Sequence, residues 1–176
     1  MSFFKDDLKL VRAMIFDVDG VLSSDTSPID VNGDPMRTAN VKDGFAIRLA
    51  LDGGFTIGVI TGGAQPSVKL RHQKLGVVYY YDNVRDKTAS LDDFIVKTSI
   101  PASEILFMGD DLVDYDIMQR VGIATCPSDA VPEIKLISRY VSDKKGGEGC
   151  VRDVIEQVMR AQGKWLGNGF NQKQSF

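Results

Sequence analysis

Four short clusters of chemically active residues follow, or lie next to, apolar segments of strand length in this sequence. In chain order they are Asp17-Val18-Asp19-Gly20, Thr61-Gly62-Gly63, Lys87 and Gly109-Asp110-Asp111-Leu112-Val113-Asp114. Carboxylates at the ends of two strands repel one another unless a cation lies between them, and hard oxygen ligands favour Mg²⁺. An aspartate nucleophile, a metal, a hydroxyl with free backbone amides and a lysine together suit phosphoryl transfer through an aspartyl-phosphate.

Each cluster also has an ordinary structural explanation when it is taken alone. The pair Asp110-Asp111 suits a solvated turn that caps a helix, and Thr61 suits a second helix cap. Lys87 suits a solvated helix residue. A calcium-binding loop is excluded for the first cluster, because such a loop needs glycine at its sixth position and glutamate at its twelfth. Counted from the first aspartate, this chain has leucine and proline there.

Apolar segments of strand length alternate with segments of helical periodicity, a pattern that predicts an α/β fold with a doubly wound, mostly parallel sheet. The predicted strands are Arg12–Phe16, Phe55–Ile60, Val77–Tyr81, Ile105–Met108, Ile123–Thr125 and Tyr140–Val141. The predicted helices are Phe45–Leu51, Pro66–Leu75, Asp86–Thr98, Val113–Val121, Val131–Ile137 and Val151–Gln162. The polar segment Ser23–Asn40 contains Asn-Gly and predicts a small hairpin instead of a cap domain. We expect one domain over residues 1–163 and a flexible tail over 164–176.

The composition indicates a globular protein, with 176 residues of which 43% are hydrophobic and 26% charged. The net charge of −3 lacks the basic excess of nucleic-acid-binding proteins. No apolar run approaches the ~18 residues of a membrane span, and the first residues lack the apolar stretch of a signal peptide. We therefore expect a cytoplasmic protein that binds neither nucleic acid nor membrane, with Cys126 and Cys150 reduced.

The order of the four clusters resembles that of the haloacid-dehalogenase superfamily of phosphatases, over most of the chain. Four segments are similar to its small cap-less branch, namely Asn40-Val41-Lys42-Asp43-Gly44, Ile60-Thr61-Gly62, Gly109-Asp110-Asp111 and Gly146-Gly147-Glu148-Gly149. The resemblance implies a Mg²⁺-dependent hydrolase that acts on a phosphorylated keto-deoxy sugar acid. The expected substrate is 3-deoxy-D-manno-octulosonate (KDO) 8-phosphate, and nine-carbon keto sugar acid 9-phosphates are the alternative.

The resemblance also implies a role for each site residue. Asp17 is the nucleophile, and Asp19 protonates the leaving sugar oxygen and then deprotonates the hydrolytic water. Thr61, Gly62 and Lys87 bind the phosphoryl oxygens. The metal ligands implied are Asp17, the backbone carbonyl of Asp19 and Asp110, with Asp111 and Asp114 positioned behind them.

The resemblance also implies which residues contact the sugar part of the substrate and how the subunits assemble. The residues expected to line the sugar are Asn40, Val41, Lys42, Asp43, Gly44 and Arg71. Gly63 departs from the pattern, since the octulosonate enzymes have arginine there and the nine-carbon enzymes glutamate; Lys74 is a candidate to compensate. His72 is expected to face solvent without a role. We expect a homotetramer in which the hairpin covers a neighbour's site, and a mobile loop over 144–149 whose Lys144 and Lys145 meet the substrate.

Two other functional classes are compatible with part of the pattern. A response-regulator receiver also combines a phosphorylatable aspartate, an acidic pair, Mg²⁺, a threonine and a lysine. In a receiver the acidic pair comes first, whereas here the Asp-x-Asp motif comes first, and Asp19 supplies an acid/base that a signal-storing protein lacks. The second alternative is a non-enzymatic binding or oligomerisation module of the same fold, which hydrolysis of an aryl phosphate with and without Mg²⁺ would distinguish.

Overall fold

The computed structural model describes residues 4–166. Its strands are β1 (Ala13–Phe16), β2 (Thr56–Ile60), β3 (Tyr79–Tyr81), β4 (Ile105–Met108), β5 (Ile123–Cys126) and β6 (Tyr140–Val141). They form one all-parallel sheet in the order β3-β2-β1-β4-β5-β6. The predicted α/β sheet is confirmed, and every predicted strand is present with its ends within two residues of the expected positions.

Seven α-helices are present in the described part of the chain. They are α1 (Phe4–Leu8), α2 (Val41–Asp52), α3 (Pro66–Leu75), α4 (Lys87–Thr98), α5 (Tyr115–Arg120), α6 (Pro132–Ile137) and α7 (Cys150–Ala161). The sequence analysis did not predict α1. Helix α2 begins four residues earlier than expected, because the side chain of Asn40 accepts hydrogen bonds from the first turn and caps the helix there. The predicted helix 113–121 is divided into a 3₁₀ turn, Leu112–Asp114, and α5.

The sheet has an apolar core on each face, and β1 contributes to both. Met14 and Phe16 pack with α1, α2 and α7 on one face, which the apolar side of α3 extends. Ala13 and Ile15 pack with α4, α5 and α6 on the other face. Both faces of β1 are therefore covered, as a doubly wound sheet requires. Since the strands are all parallel, their carboxyl ends meet at one edge, where such sheets bind ligands.

The predicted hairpin between β1 and α2 is present in a minimal form. Ile29 and Pro35 form a single antiparallel bridge, and the amide of Met36 donates to the carbonyl of Pro28 at 2.8 Å. Gly33 occupies the turn with φ of 86°, a conformation that glycine adopts without strain. The hairpin is held against the body by Gln65, whose Nε2 donates to the Pro35 carbonyl at 2.6 Å.

Cys126 and Cys150, which the sequence analysis predicted to be reduced, are free, and the fold buries both of them. Among residues 4–166, no helix has the length and hydropathy that a membrane crossing needs. Of the predicted tail, residues 164–166 are described, and the centre of the Trp165 ring lies 5.3 Å from Cζ of Arg152 and 5.7 Å from Cζ of Arg160. The remainder of that predicted tail lies outside the described residues.

Candidate active site

Asp17 is the first residue after β1, and it is almost completely buried. Its backbone N–H donates to the Met108 carbonyl at 3.1 Å, so it continues the ladder between β1 and β4. The Val18 amide donates to Asp17 Oδ1 at 2.7 Å, and Lys87 Nζ lies 3.0 Å from Oδ2. Both carboxylate oxygens are thus held in a fixed orientation, as the predicted nucleophile requires.

Lys87 lies between two carboxylates at the start of α4. The helix cap Asp86 accepts hydrogen bonds from two amides of the first turn, which fixes where the lysine leaves the helix. Lys87 Nζ donates to Asp114 Oδ1 at 2.6 Å as well as pairing with Asp17. Burial by itself lowers the pKa of Lys87, but the neighbouring carboxylates raise it above its ordinary value. The side chain is therefore a fixed cation beside the nucleophile.

Lys87 lies beside a cluster of three carboxylates and pairs with two of them. Oxygens of Asp17, Asp110 and Asp114 lie within 4.8 Å of one another. Burial, followed by the charge of Asp114, raises the pKa of Asp17 to about 7. Burial, followed by the charges of Asp114, Asp17 and Asp111, raises the pKa of Asp110 to about 8. Hard oxygen donors with this excess of negative charge fit a divalent cation such as Mg²⁺.

Asp114 is completely buried, and both of its oxygens have partners. Oδ1 accepts from Lys87, and Oδ2 accepts from the backbone amide of Asp110 at 3.1 Å. This arrangement fits the anchoring role predicted for Asp114, and Asp17 and Asp110 stay the carboxylates predicted to bind the metal. Asp111 is exposed, and its carboxylate accepts from the Leu112 amide at 2.7 Å, which caps the short turn after β4.

Gly20 allows the loop after β1 to lie directly against Asp110. Its φ of 73° is in the left-handed region, and a Cβ at this position would lie 1.9 Å from Asp110 Oδ2. Any side chain here would push the acidic residue away from the cluster. The glycine of the Asp-x-Asp-Gly motif is therefore needed both for its backbone conformation and for the approach of a candidate metal ligand.

The Thr61-Gly62-Gly63 segment forms the adjacent wall of the site, after β2. The Thr61 side chain is buried, and its Oγ1 accepts from the Gly63 amide at 3.1 Å. The carbonyl of Thr61 accepts from the Val84 amide at 3.1 Å, which ties this turn to the loop before α4. In this conformation Gly62 and Gly63 line the site directly. The Thr61 side chain is not part of that lining and instead accepts the hydrogen bond from Gly63.

These residues surround one cavity of about 460 Å³ at the carboxyl edge of the sheet. Its lining includes Asp17, Asp19, Gly20, Gly62, Gly63, Lys87, Asp110 and Asp111. Three further charged residues that the sequence analysis did not single out also line it, namely Asp25, Arg37 and Arg85. No motif marks these three, because their neighbours in the chain are ordinary loop residues, and only the fold brings them to the site.

Arg37 of the hairpin forms a two-pronged ion pair with Asp19. Arg37 Nε lies 2.7 Å from Asp19 Oδ1, and Nη2 lies 2.8 Å from Oδ2. The Arg37 side chain is 10% exposed, although the hairpin around it is largely solvent-facing. The hydrogen bond to Asp19 raises the pKa of Arg37. The predicted acid/base residue is thus held by a cation from a distant part of the chain.

A second cavity of about 210 Å³ lies between α2 and α3, on the other side of Arg37. Four of the six residues predicted to line the sugar meet there, namely Asn40, Asp43, Gly44 and Arg71. Val41 and Lys42 are exposed on the first turn of α2 and are not part of this lining. Lys74 is exposed on α3 and is not part of it either.

His72 contradicts the expectation that it faces solvent. Its side chain is buried, and Nδ1 donates to the Val68 carbonyl at 2.8 Å one turn earlier in α3. The ring also lies 5.7 Å from that of Tyr80. Burial lowers the pKa of His72. The expectation was wrong because the polar residues on either side of His72 indicated an exposed helix face, whereas the histidine lies on the inner face of α3.

Asp43 is a buried carboxylate at the second cavity. Oδ1 accepts from the Arg152 amide at 2.7 Å, which joins α2 to α7. Oδ2 has no hydrogen-bond partner in the described structure. Burial raises the pKa of Asp43 to about 6, against the lowering effect of its hydrogen bond to Arg152. One oxygen of this side chain therefore joins two helices, while the other is buried without a hydrogen-bond partner.

We predict that Asp43→Asn makes the protein less sensitive to rising pH. Because the folded-state pKa of Asp43 is raised from 3.8 to about 6, its stabilising contribution is complete below about pH 4 and is lost as pH rises through 6. The variant lacks this loss, so its unfolding free energy relative to wild type should rise by about 1–3 kcal/mol between pH 4.5 and 7.5. Urea unfolding at both pH values measures this, with Asp52→Asn on the exposed side of α2 as control. An equal difference at both pH values would contradict it.

The glycine loop before α7 packs tightly against the loop that carries Asp17. A Cβ on Gly146 would lie 2.0 Å from the Gly20 carbonyl oxygen, and the Gly147 amide donates to the Val21 carbonyl at 2.8 Å. These glycines provide close backbone contact in place of the mobility expected from their number. A role for Lys144 and Lys145 in substrate binding stays a prediction; Lys144 pairs with the neighbouring Asp143.

An all-parallel sheet with an Asp-x-Asp motif after β1, a buried lysine beside it and an acidic loop after β4 defines a haloacid dehalogenase-like hydrolase. Residues 72–155 match the haloacid dehalogenase-like hydrolase family. The chain is also 36% identical over 154 residues to the 3-deoxy-D-manno-octulosonate 8-phosphate phosphatase KdsC of Salmonella typhi, covering 88% of this chain and 82% of the relative. The chain belongs to this family of phosphatases.

Solved structures show the same similarity in three dimensions. The 3-deoxy-D-manno-octulosonate 8-phosphate phosphatase from Yersinia pestis superposes with a TM-score of 0.89 at 29% identity, over 93% of this chain and 88% of that one. The corresponding phosphatase from Moraxella catarrhalis, solved in complex with magnesium, phosphate and KDO, gives a TM-score of 0.87 at 27% identity, over 92% of each chain.

Proposed function

We propose that this chain is a Mg²⁺-dependent phosphatase that hydrolyses KDO 8-phosphate to KDO and phosphate through an aspartyl-phosphate on Asp17. The observation that carries the proposal is the buried Asp17 carboxylate at the mouth of β1, oriented by Lys87 and the Val18 amide beside an acidic cluster. Relatives that are 36% identical over 88% of this chain are named as phosphatases for this substrate.

The residues present account for each step of such a reaction. Asp17 attacks phosphorus, and Lys87 compensates the charge of the phosphoryl oxygens as they approach. The amide of Gly62, which lines the same cavity, is available to the same oxygens. Asp19 donates a proton to the leaving sugar oxygen and afterwards removes one from the attacking water.

Asp17, the carbonyl of Asp19 and Asp110 would hold Mg²⁺, with Asp111 and Asp114 positioning that shell. The ion supplies positive charge that reduces repulsion between the carboxylate cluster and the incoming phosphate. Asp114 holds both Lys87 and the Asp110 backbone, so it fixes the distance between the phosphate-binding cation and the metal ligand.

Steady-state kinetics with three substrates tests the proposed function. We expect kcat/KM for KDO 8-phosphate to exceed that for a nine-carbon keto sugar acid 9-phosphate by at least about tenfold, and that for 4-nitrophenyl phosphate by more, because binding energy away from phosphorus is used in the transition state. All three activities should require Mg²⁺. A preference for the nine-carbon substrate would replace the proposed substrate, and hydrolysis of none of the three would contradict the enzyme assignment.

We further propose that the chain acts as a homotetramer in which the hairpin covers a neighbour's active site. The hairpin exposes three large apolar side chains, Ile29, Val31 and Met36, which suits an interface better than a solvated loop. Sedimentation velocity on wild type and on the Ile29→Glu, Val31→Glu double variant tests this. The variant should dissociate and lose kcat/KM together, whereas a fully active wild-type monomer would contradict the proposal.

A further inference from the structure

We propose that Arg37 is a specificity-determining residue. When substrate binds, its guanidinium releases Asp19 and instead binds a pair of anionic oxygens on the substrate. The inference rests on the proposed function and concerns how the same site recognises its substrate. Arg37 lines both the catalytic cavity and the cavity between α2 and α3. It is therefore the side chain that a phosphorylated sugar acid meets between its phosphate end and its sugar end.

The ion pair occupies the side chain that is proposed to act as the acid and base. Its guanidinium contacts both carboxylate oxygens of Asp19, at 2.7 and 2.8 Å. Proton transfer needs one oxygen of Asp19 within hydrogen-bond distance of the leaving group, and release of Arg37 frees both oxygens for that contact. A carboxylate or phosphoryl group presents the same paired oxygens that Asp19 presents, and the planar guanidinium suits either one.

Gly63 provides the space in which Arg37 lies. A Cβ at position 63 would lie 2.5 Å from Arg37 Nη2, 2.8 Å from Cζ and 3.3 Å from Nε. Any side chain at position 63 would therefore displace the guanidinium. The octulosonate and nine-carbon patterns have a charged residue at position 63, whereas this chain has glycine. Here the guanidinium of Arg37 comes from the hairpin and fills the space that a side chain at position 63 would occupy.

The hairpin places Arg37 accurately despite its small size. The Thr38 amide donates to Ser23 Oγ at 2.9 Å, immediately after the arginine. Gln65 Nε2 donates to the carbonyl of Pro35, two residues before the arginine. The residues on both sides of Arg37 are thus tied to the segments that carry Asp19 and Gly63, while the guanidinium has only side-chain hydrogen bonds to Asp19 to give up.

The substrate oxygens that receive Arg37 can be distinguished by kinetics of Arg37→Met. Loss of a charge-assisted, two-pronged contact should lower kcat/KM for KDO 8-phosphate by about 10–100-fold, mainly through KM. If the carboxylate is the acceptor, 4-nitrophenyl phosphate, which has none, should be affected much less. If the phosphoryl group is the acceptor, both substrates should lose equally. Arg37→Lys should recover only part of the lost kcat/KM, because an ammonium group lacks the two parallel N–H donors of a guanidinium.

A double-mutant cycle with Gly63→Ala tests the pairing of the two positions. Gly63→Ala alone should reduce kcat/KM as Arg37→Met does, and it should add little in the Arg37→Met background, because both changes remove the same guanidinium. Arg48→Met, which removes an exposed arginine from α2, is the matched control. Thermal unfolding of each variant establishes that it is folded.

Unchanged KM and kcat in Arg37→Met, or additive effects in the cycle, would overturn the inference. Its failure is distinguishable from failure of the proposed function. If the substrate is wrong, the wild type itself will not prefer KDO 8-phosphate over the aryl phosphate. If only the inference is wrong, the wild type will keep that preference, and Arg37→Met will keep the wild-type KM and kcat for both substrates.

Discussion

Asp17→Asn should lower kcat by far more than a hundredfold. An amide cannot form the acyl phosphate, and the substitution also removes a candidate metal ligand, so the loss should exceed the ~2.7 kcal/mol of barrier that a hundredfold represents. The Asn side chain can still accept the hydrogen bond from the Val18 amide, so the loop after β1 should keep its conformation. Initial rates with saturating Mg²⁺ measure the effect.

The same variant should be more stable than the wild type when no metal is present. The pKa of Asp17 is raised to about 7 because ionisation is opposed by burial and by Asp114, and Asn removes that charge. At pH 8 we expect the unfolding free energy to rise by about 1–3 kcal/mol. Asp116→Asn, a change of the same type on the exposed face of α5, is the control and should alter neither property. More than about a hundredth of wild-type activity would contradict the nucleophile assignment.

Mg²⁺ should stabilise the protein strongly at high pH and weakly at low pH. Without metal, the folded-state pKa values of Asp17 and Asp110, about 7 and about 8, exceed the ordinary 3.8. The stability linked to these groups is therefore complete below about pH 4 and is lost as pH rises through 7 to 8. Mg²⁺ binds the ionised cluster and compensates its repulsion, whereas at low pH protons compete for the same oxygens.

Thermal unfolding at pH 5.5 and 8.5, with and without Mg²⁺, measures this effect. At an Mg²⁺ concentration of about 100 times Kd, the gain at pH 8.5 should be about 2.7 kcal/mol, and at pH 5.5 it should be small. Asp110→Asn is the matched variant: it should unfold at a higher temperature without metal and respond less to Mg²⁺. A response to Mg²⁺ of equal size at both pH values, or in both proteins, would be evidence against this cluster as the metal site.

The sheet and the catalytic cluster were predictable because each depends on short-range patterns. Apolar strand segments such as Ile105–Met108 are buried on both faces, and this burial is why they are continuously apolar. Once the strands are parallel, their carboxyl ends coincide. Asp17 and Asp110 must then be neighbours although they are far apart in the chain. Together these two patterns predict most of the residues that line the catalytic cavity.

Arg37 and Asp43 were harder to interpret because their roles depend on contacts between distant segments. Arg37 lies in a polar hairpin without periodicity, and only the folded chain brings it to Asp19, 18 positions away. Asp43 was predicted to contact sugar, but its Oδ1 binds the Arg152 amide, 109 positions away. A single sequence records the presence of such side chains, while their partners are determined by packing of whole elements.

The close contact between the glycine loop and the loop after β1 also bears on the order in which the protein folds. Cys150 Sγ donates to the Val21 carbonyl across 129 positions of chain, next to the bond from the Gly147 amide. Contacts between such distant segments form late, since the loop-closure entropy must be lost first. During synthesis, β1 through β5 can be complete while this support for Asp17 and Asp19 has not yet left the ribosome. Activity should accordingly be acquired last, after the sheet has formed and α7 has docked.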